Sequence, residues 1–130
     1  YGLSALRIGY FVGVPETLDQ LRRVQAPFTV ATTAQAAAVE SLRHEHLVAD
    51  RATANADGRE WLTDELVARG VAVIPSQANF IAFEPNDAER LERELLVHGV
   101  IVRRLGTLIR ITIGTAEENR RLIEAWDDIT

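Results

Sequence analysis

The 130-residue sequence contains no cysteine, no methionine and no lysine. Without cysteine, disulfide scaffolds, zinc ribbons, haem attachment and thiol nucleophiles are excluded. Without lysine there is no ε-amino group, so the chain by itself can form no Schiff base; all fourteen basic residues are arginine. A chain that opens on Tyr1, with no initiator methionine and no signal peptide, is expected to be a piece of a longer one. A basic excess is missing too: the net charge is -5, which argues against a nucleic-acid or anionic-membrane partner. No apolar run approaches the ~20 residues of a membrane span. There is no internal repeat, low-complexity tract, P-loop, GxGxxG or Ser-His-Asp set.

What is present is ordinary in bulk: 47% apolar and 25% charged residues, as in a soluble globular domain. The length suits one domain, or a small domain plus part of another. Residues 5–14 are β-branched and aromatic between glycines and read as a strand. Pro15 opens a helix that Pro27 ends. An alanine-rich helix follows, with Thr32 or Thr33 as its N-cap, and then a long helix from about Glu45 to Arg69. Its apolar points are Leu47, Trp61, Leu62, Leu66 and Val67, and Gly70 closes it. Beyond Gly70 come strands at 71–74 and 79–83, and a helix at 87–97 with Leu91, Leu95 and Leu96 on one side. Strands at 100–104 and 108–113 are joined by a tight turn at Gly106. A last helix, 116–129, starts with a capping box of Thr115 and Glu118. This is an α/β chain: the edge of a larger α/β domain, then a β-β-α-β-β-α sandwich of the α+β kind.

Three arginines stand out. Arg7 lies inside an apolar stretch, and either pairs with a carboxylate or clamps an anion through its planar fork. Arg110 alternates with Ile109 and Ile111, so it should face the opposite side of its strand with Thr112. Arg103, on the neighbouring strand, can converge with Arg110 into an anion site. The polar run from Pro75 to Asn79 reads as a turn in which Asn79 bonds the backbone. His44, His46 and His98 are scattered and receive no metal. The acidic residues lie on solvated helix faces.

Five segments in order along the chain resemble one family. They are Tyr1-Gly-Leu-Ser-Ala-Leu-Arg-Ile-Gly-Tyr10, Gln35-Ala-Ala-Ala38, Ser76-Gln-Ala-Asn-Phe80, Gly99-Val-Ile-Val-Arg103 and Leu108-Ile-Arg-Ile-Thr-Ile-Gly-Thr-Ala-Glu-Glu-Asn119. Together they resemble the C-terminal part of fold-type I pyridoxal-phosphate-dependent aminotransferases, with the histidinol-phosphate branch nearest. The resemblance implies a division into 1–45, the end of a large cofactor-binding domain, and 46–130, a small C-terminal domain. It implies pyridoxal 5'-phosphate as cofactor, with the Schiff-base lysine two residues before Tyr1, so that no catalytic residue lies in this fragment and the fragment alone is inactive. Arg7 would hold the cofactor phosphate, and Arg110 and Arg103 the anion of the substrate; Asn79 would be structural. The implied reaction moves an amino group from histidinol phosphate to a 2-oxo acid such as 2-oxoglutarate, in a cytoplasmic homodimer. Between Arg104 and Arg110 the chain is shorter than the family's usual loop, and Ser4 and Ala5 replace a frequent alanine and glycine. An aromatic or general amino-acid aminotransferase therefore stays open as the alternative, as does a catalytically dead anion-binding module.

Overall fold

In the computed structural model, which describes residues 1–129, the chain divides into two units, Tyr1–Ala49 and Asp50–Thr130. The first unit begins with a single 3-10 turn at Ser4–Leu6, followed by residues without regular structure as far as Val14. The strand expected over 5–14 does not form. A strand needs a neighbour to take up its N–H and C=O groups, and no described segment pairs with this one. Tyr10, Phe11 and Val12 are accordingly exposed.

Helix α1, Pro15–Val24, has proline at its first position, Glu16 in its first turn and Arg22 and Arg23 in its last. These charges complement the helix dipole. Helix α2, Thr32–Leu42, starts on Thr32 itself, because Ala31 holds the extended N-cap position and no side chain caps it. The threonine cap expected from the sequence is therefore absent: Thr32 is already inside the helix. Only Ala34 is buried in this unit. The long helix α3, His46–Ala68, contains the division between the units.

The second unit is organised around a four-stranded antiparallel sheet. Its strands are β1 (Val73–Ile74), β2 (Phe80–Phe83), β3 (Arg103–Leu105) and β4 (Leu108–Thr112), in the order β1-β2-β4-β3. Helix α4, Ala88–Val97, lies between β2 and β3 in sequence, and α5, Ala116–Ile129, follows β4. Because β2 and β3 each run antiparallel to β4, they run parallel to each other with β4 between them.

Period-2 alternation on the strands sends Ile81, Phe83, Ile109 and Ile111 into the core. The i, i+4 pairs Leu62/Leu66, Leu91/Leu95 and Leu122/Trp126 meet them from α3, α4 and α5. Phe83 and Trp126 pack edge-to-face with centroids 5.6 Å apart. Trp61, Val67 and Leu96, read as apolar face residues, point outward instead. Each sits one position off the i, i+4 ladder of its helix.

Candidate functional site

The turn before β2 sets where that strand enters the sheet. The Ser76 hydroxyl donates to the Phe80 carbonyl at 2.7 Å and accepts from the Ala78 N–H at 3.1 Å. Arg59 of α3 donates from Nη1 to the Ala78 carbonyl at 2.9 Å. Serine, not Asn79, closes this turn. Among the described residues Asn79 contributes its carbonyl, which accepts from the Ile113 N–H at 2.9 Å. A hydroxyl can donate and accept at once, which is why Ser76 satisfies two backbone groups of a turn that lacks ladder partners.

Strands β3 and β4 form a hairpin with Leu105 opposite Leu108 and only Gly106 and Thr107 between them. Gly106 has φ +64 and Thr107 does not share the positive φ, the pattern of a type II′ turn. This register puts Arg103 directly opposite Arg110. The two candidate arginines do converge. Like charges placed opposite one another on a sheet repel, and neither has a carboxylate partner among the described residues. Arg104, one residue along, is different. Glu92 of α4 takes its Nε–H at 3.0 Å and its backbone N–H at 3.3 Å. That side-chain hydrogen bond, against a smaller opposing effect of burial, holds the Arg104 guanidinium still more firmly protonated than usual.

Arg110 is half-buried, and its Nε is buried without a hydrogen-bond partner. Its guanidinium carbon lies 5.3 Å from the centre of the Phe80 ring. Arg103 and Arg110 flank a polar cleft of about 470 Å³ that Thr112, Ile101 and the engaged Arg104–Glu92 pair also line. With the Glu92 carboxylate taken up by Arg104, the guanidinium charge of Arg103 and Arg110 is in surplus at the mouth of an open cleft and can bind a carboxylate or a phosphate. Thr112 adds a hydroxyl there; its alternation with Ile111 was its only sequence signal.

Arg7 belongs to the first unit. It caps the 3-10 turn in the left-handed region, at φ 53 and ψ 39, and was expected on a strand. Its Nη1 donates to the Ser4 carbonyl at 2.9 Å. The side chain is exposed, and the rest of its fork has no partner among the described residues. A separate groove of about 450 Å³ in this unit is lined mainly by Tyr1, Leu3, Ile8, Tyr10, Val39 and Leu42. It is apolar, and Arg7 does not line it.

His44 and His46 meet edge-to-face with ring centroids 5.9 Å apart. His44 also pairs with Glu40 at 3.2 Å, and His98 lies apart from them, paired with Asp128 at 3.6 Å. Among the described residues no three metal-ligating side chains cluster, and no helix is long and apolar enough to cross a membrane.

Residues 1–125 match the family model for aminotransferase class I and II. The chain is 39% identical to the histidinol-phosphate aminotransferase of Moorella thermoacetica, covering 99% of this chain and 35% of that protein. It is 42% identical to the aromatic amino acid aminotransferase of Cutibacterium acnes, covering 96% of this chain and 36% of that one. It thus spans about a third of the length of these curated relatives. Among solved structures, it superimposes on the histidinol-phosphate aminotransferase of Sinorhizobium meliloti, crystallised with pyridoxal-5'-phosphate, with a TM-score of 0.79. That match has 23% identity and covers all of this chain and 39% of the other.

Proposed function

The chain belongs to the class I and II aminotransferase family, and from that premise we propose that it is the C-terminal part of a pyridoxal-phosphate enzyme. The enzyme moves an amino group from histidinol phosphate to a 2-oxo acid such as 2-oxoglutarate. Residues 1–45 complete the large, cofactor-binding domain and 46–130 make the small one. The working form is a cytoplasmic homodimer. The observation that carries the choice of donor is the Arg103–Arg110 pair, opposed across the hairpin with no carboxylate of its own. A phosphate has three oxygens to share between two guanidinium groups, whereas one carboxylate suits a single fork.

Arg7 fits the cofactor phosphate, because most of its guanidinium donors are unclaimed and exposed. Pyridoxal phosphate, when bound, supplies the electron sink for the carbon that loses or gains the amino group. The lysine that bonds it is expected two residues before Tyr1, so the 130 residues alone should not transaminate. Arg110 fixes the substrate anion, which places the rest of the substrate for reaction. Misplacement by an ångström lowers the rate as well as the affinity.

The test is steady-state kcat/KM of the full-length enzyme on histidinol phosphate and on phenylalanine. Arg110→Ala should damage both substrates. Arg103→Ala should cost histidinol phosphate roughly 10- to 100-fold, the equivalent of one lost charge-assisted contact, and phenylalanine far less. A second reading, an aromatic amino-acid aminotransferase, is favoured by the two-residue β3–β4 connection, which leaves no long loop beside the cleft. The name of the 42% identical relative favours it too. That reading expects little effect of Arg103→Ala on either substrate, and such a result would displace histidinol phosphate.

A further inference from the structure

A half-buried guanidinium that faces a second arginine and keeps an unbonded, buried Nε needs some other favourable contact to stay where it is. Desolvating a cation without a partner is unfavourable, and the long arginine side chain has the freedom to swing into solvent. What meets it is an aromatic face, the Phe80 ring 5.3 Å from the guanidinium carbon. A ring face attracts a cation, more strongly where water is excluded. A cation held over a ring face spends no N–H on a hydrogen-bond acceptor in that contact, so the guanidinium keeps its donors for an anion.

The ring is held in its turn. In the β2–β4 register Phe80 is opposite Thr112 and Ala82 opposite Arg110, which makes Phe80 the diagonal same-face neighbour of Arg110. The Ser76 hydroxyl on the Phe80 carbonyl and Arg59 on the Ala78 carbonyl fix the turn from which Phe80 enters the strand. Phe80 is thereby tied to α3 as well as to the sheet.

We propose that Phe80 is a positioning residue for anionic substrates: its ring holds the Arg110 guanidinium in its binding orientation and keeps water from one face. This rests on the reading of Arg110 as the arginine that takes the substrate anion. Because Phe80 acts through Arg110, it serves carboxylate- and phosphate-bearing substrates alike, unlike Arg103.

The experiment uses the full-length enzyme and four variants, Phe80→Leu, Phe80→Tyr, Arg110→Ala and the Phe80→Leu/Arg110→Ala double. The readouts are KM and kcat for histidinol phosphate and phenylalanine, the inhibition constant of inorganic phosphate, and the melting temperature. Phe80→Leu keeps apolar bulk but removes the π face. It should raise KM and the phosphate inhibition constant about 5- to 30-fold, with a smaller change in kcat. Phe80→Tyr should stay near the parent. In the Arg110→Ala background Phe80→Leu should change nothing further, which a merely structural role would not produce. Should Phe80→Leu not fold, Phe80→Met serves as the ringless variant.

Unchanged constants in the ringless variant, equal losses with and without the Arg110 side chain, or equal losses from tyrosine and leucine would each overturn the proposal. If Arg110→Ala alone alters nothing, the reading of Arg110 fails and the proposal falls with it. If Arg110→Ala is damaging and Phe80→Leu is not, only the role of Phe80 is refuted.

Discussion

Arg7 occupies the left-handed region at φ 53, where a residue with a Cβ costs roughly 1–2 kcal/mol more than in its usual conformation. Its side chain bonds the Ser4 carbonyl at the start of the same turn, which offsets part of that cost. A position so held presents the remaining guanidinium donors from a defined place. In the full-length enzyme, Arg7→Ala is expected to weaken retention of pyridoxal phosphate by about 1.5–3 kcal/mol, one charge-assisted contact. Arg7→Lys should restore only part, because an ammonium cannot reproduce the fork. Cofactor affinity, read by equilibrium dialysis, is the measurement. An unaltered value for Arg7→Ala would reduce Arg7 to a brace of the Ser4–Leu6 turn. The sequence drew attention to Arg7 but misread its setting: the apolar run around it carried a strand pattern, read as the edge of a larger domain, and without a partner in this chain the strand does not form.

Among the elements, the helix ends carry much of the local specification. Gly70 follows α3 at φ +83, with its N–H on the Val67 carbonyl and the Val71 N–H on the Leu66 carbonyl. This is a Schellman closure, and Gly99 repeats it after α4. At α5 the capping box is complete: the Thr115 N–H donates to Glu118 Oε2 at 2.7 Å, and the Glu118 N–H to Thr115 Oγ1 at 3.2 Å. The backbone bond from Thr115 is also the main reason the Glu118 carboxyl sits below its ordinary range. No heavy atom stands where a Cβ on Gly70 would go, so Gly70→Ala isolates the backbone term and should cost about 1–2 kcal/mol. Thr115→Ala should cost about 0.5–2 kcal/mol. Urea unfolding measures both, and a neutral Gly70→Ala would show that the left-handed closure contributes nothing. The Gly70 closure and the Thr115–Glu118 box were legible because each depends on residues within about five positions; the Gly99 closure obeys the same local rule but was not read from the sequence.

At the scale of the whole molecule, the second unit holds the core, and an ion pair between residues far apart in sequence ties the end of α3 to α5. Arg69 meets Asp127 through Nε and Nη2 at 2.6 and 2.7 Å, and Glu65 through Nη1 at 2.6 Å. Hydrogen bonding from Arg69 depresses the Asp127 carboxyl below the ordinary carboxylate range. A carboxyl with a lowered folded-state pKa stabilises the fold above its unfolded value, and that contribution is lost as the pH falls through the folded value. The melting temperature of the parent should therefore exceed that of Asp127→Asn at neutral pH. The gap should close as the pH drops below about 4, the unfolded carboxylate value. A gap that persists unchanged into strong acid would assign the difference to something other than the ionised pair. Neither partner is singled out by sequence pattern: the two residues are 58 positions apart.

From the sequence alone came the family resemblance, the order of helices and strands after Gly70, the core positions Leu62/Leu66 and Leu91/Leu95, and the suspicion attached to Arg7, Arg103 and Arg110. All of these rest on local periodicity, on caps and turns, or on motifs in fixed order, and such signals need no knowledge of what lies across space. Tertiary structure decided the rest. It settled that residues 5–14 form no strand, that Ser76 and not Asn79 closes the turn before β2, and that Arg104 is neutralised by Glu92 while Arg103 and Arg110 are left facing each other. It also placed Phe80 beneath Arg110. A strand exists only with a neighbour, and a charge is free only where no partner reaches it. Both conditions depend on which distant segments are brought together, and hairpin register and helix packing set that.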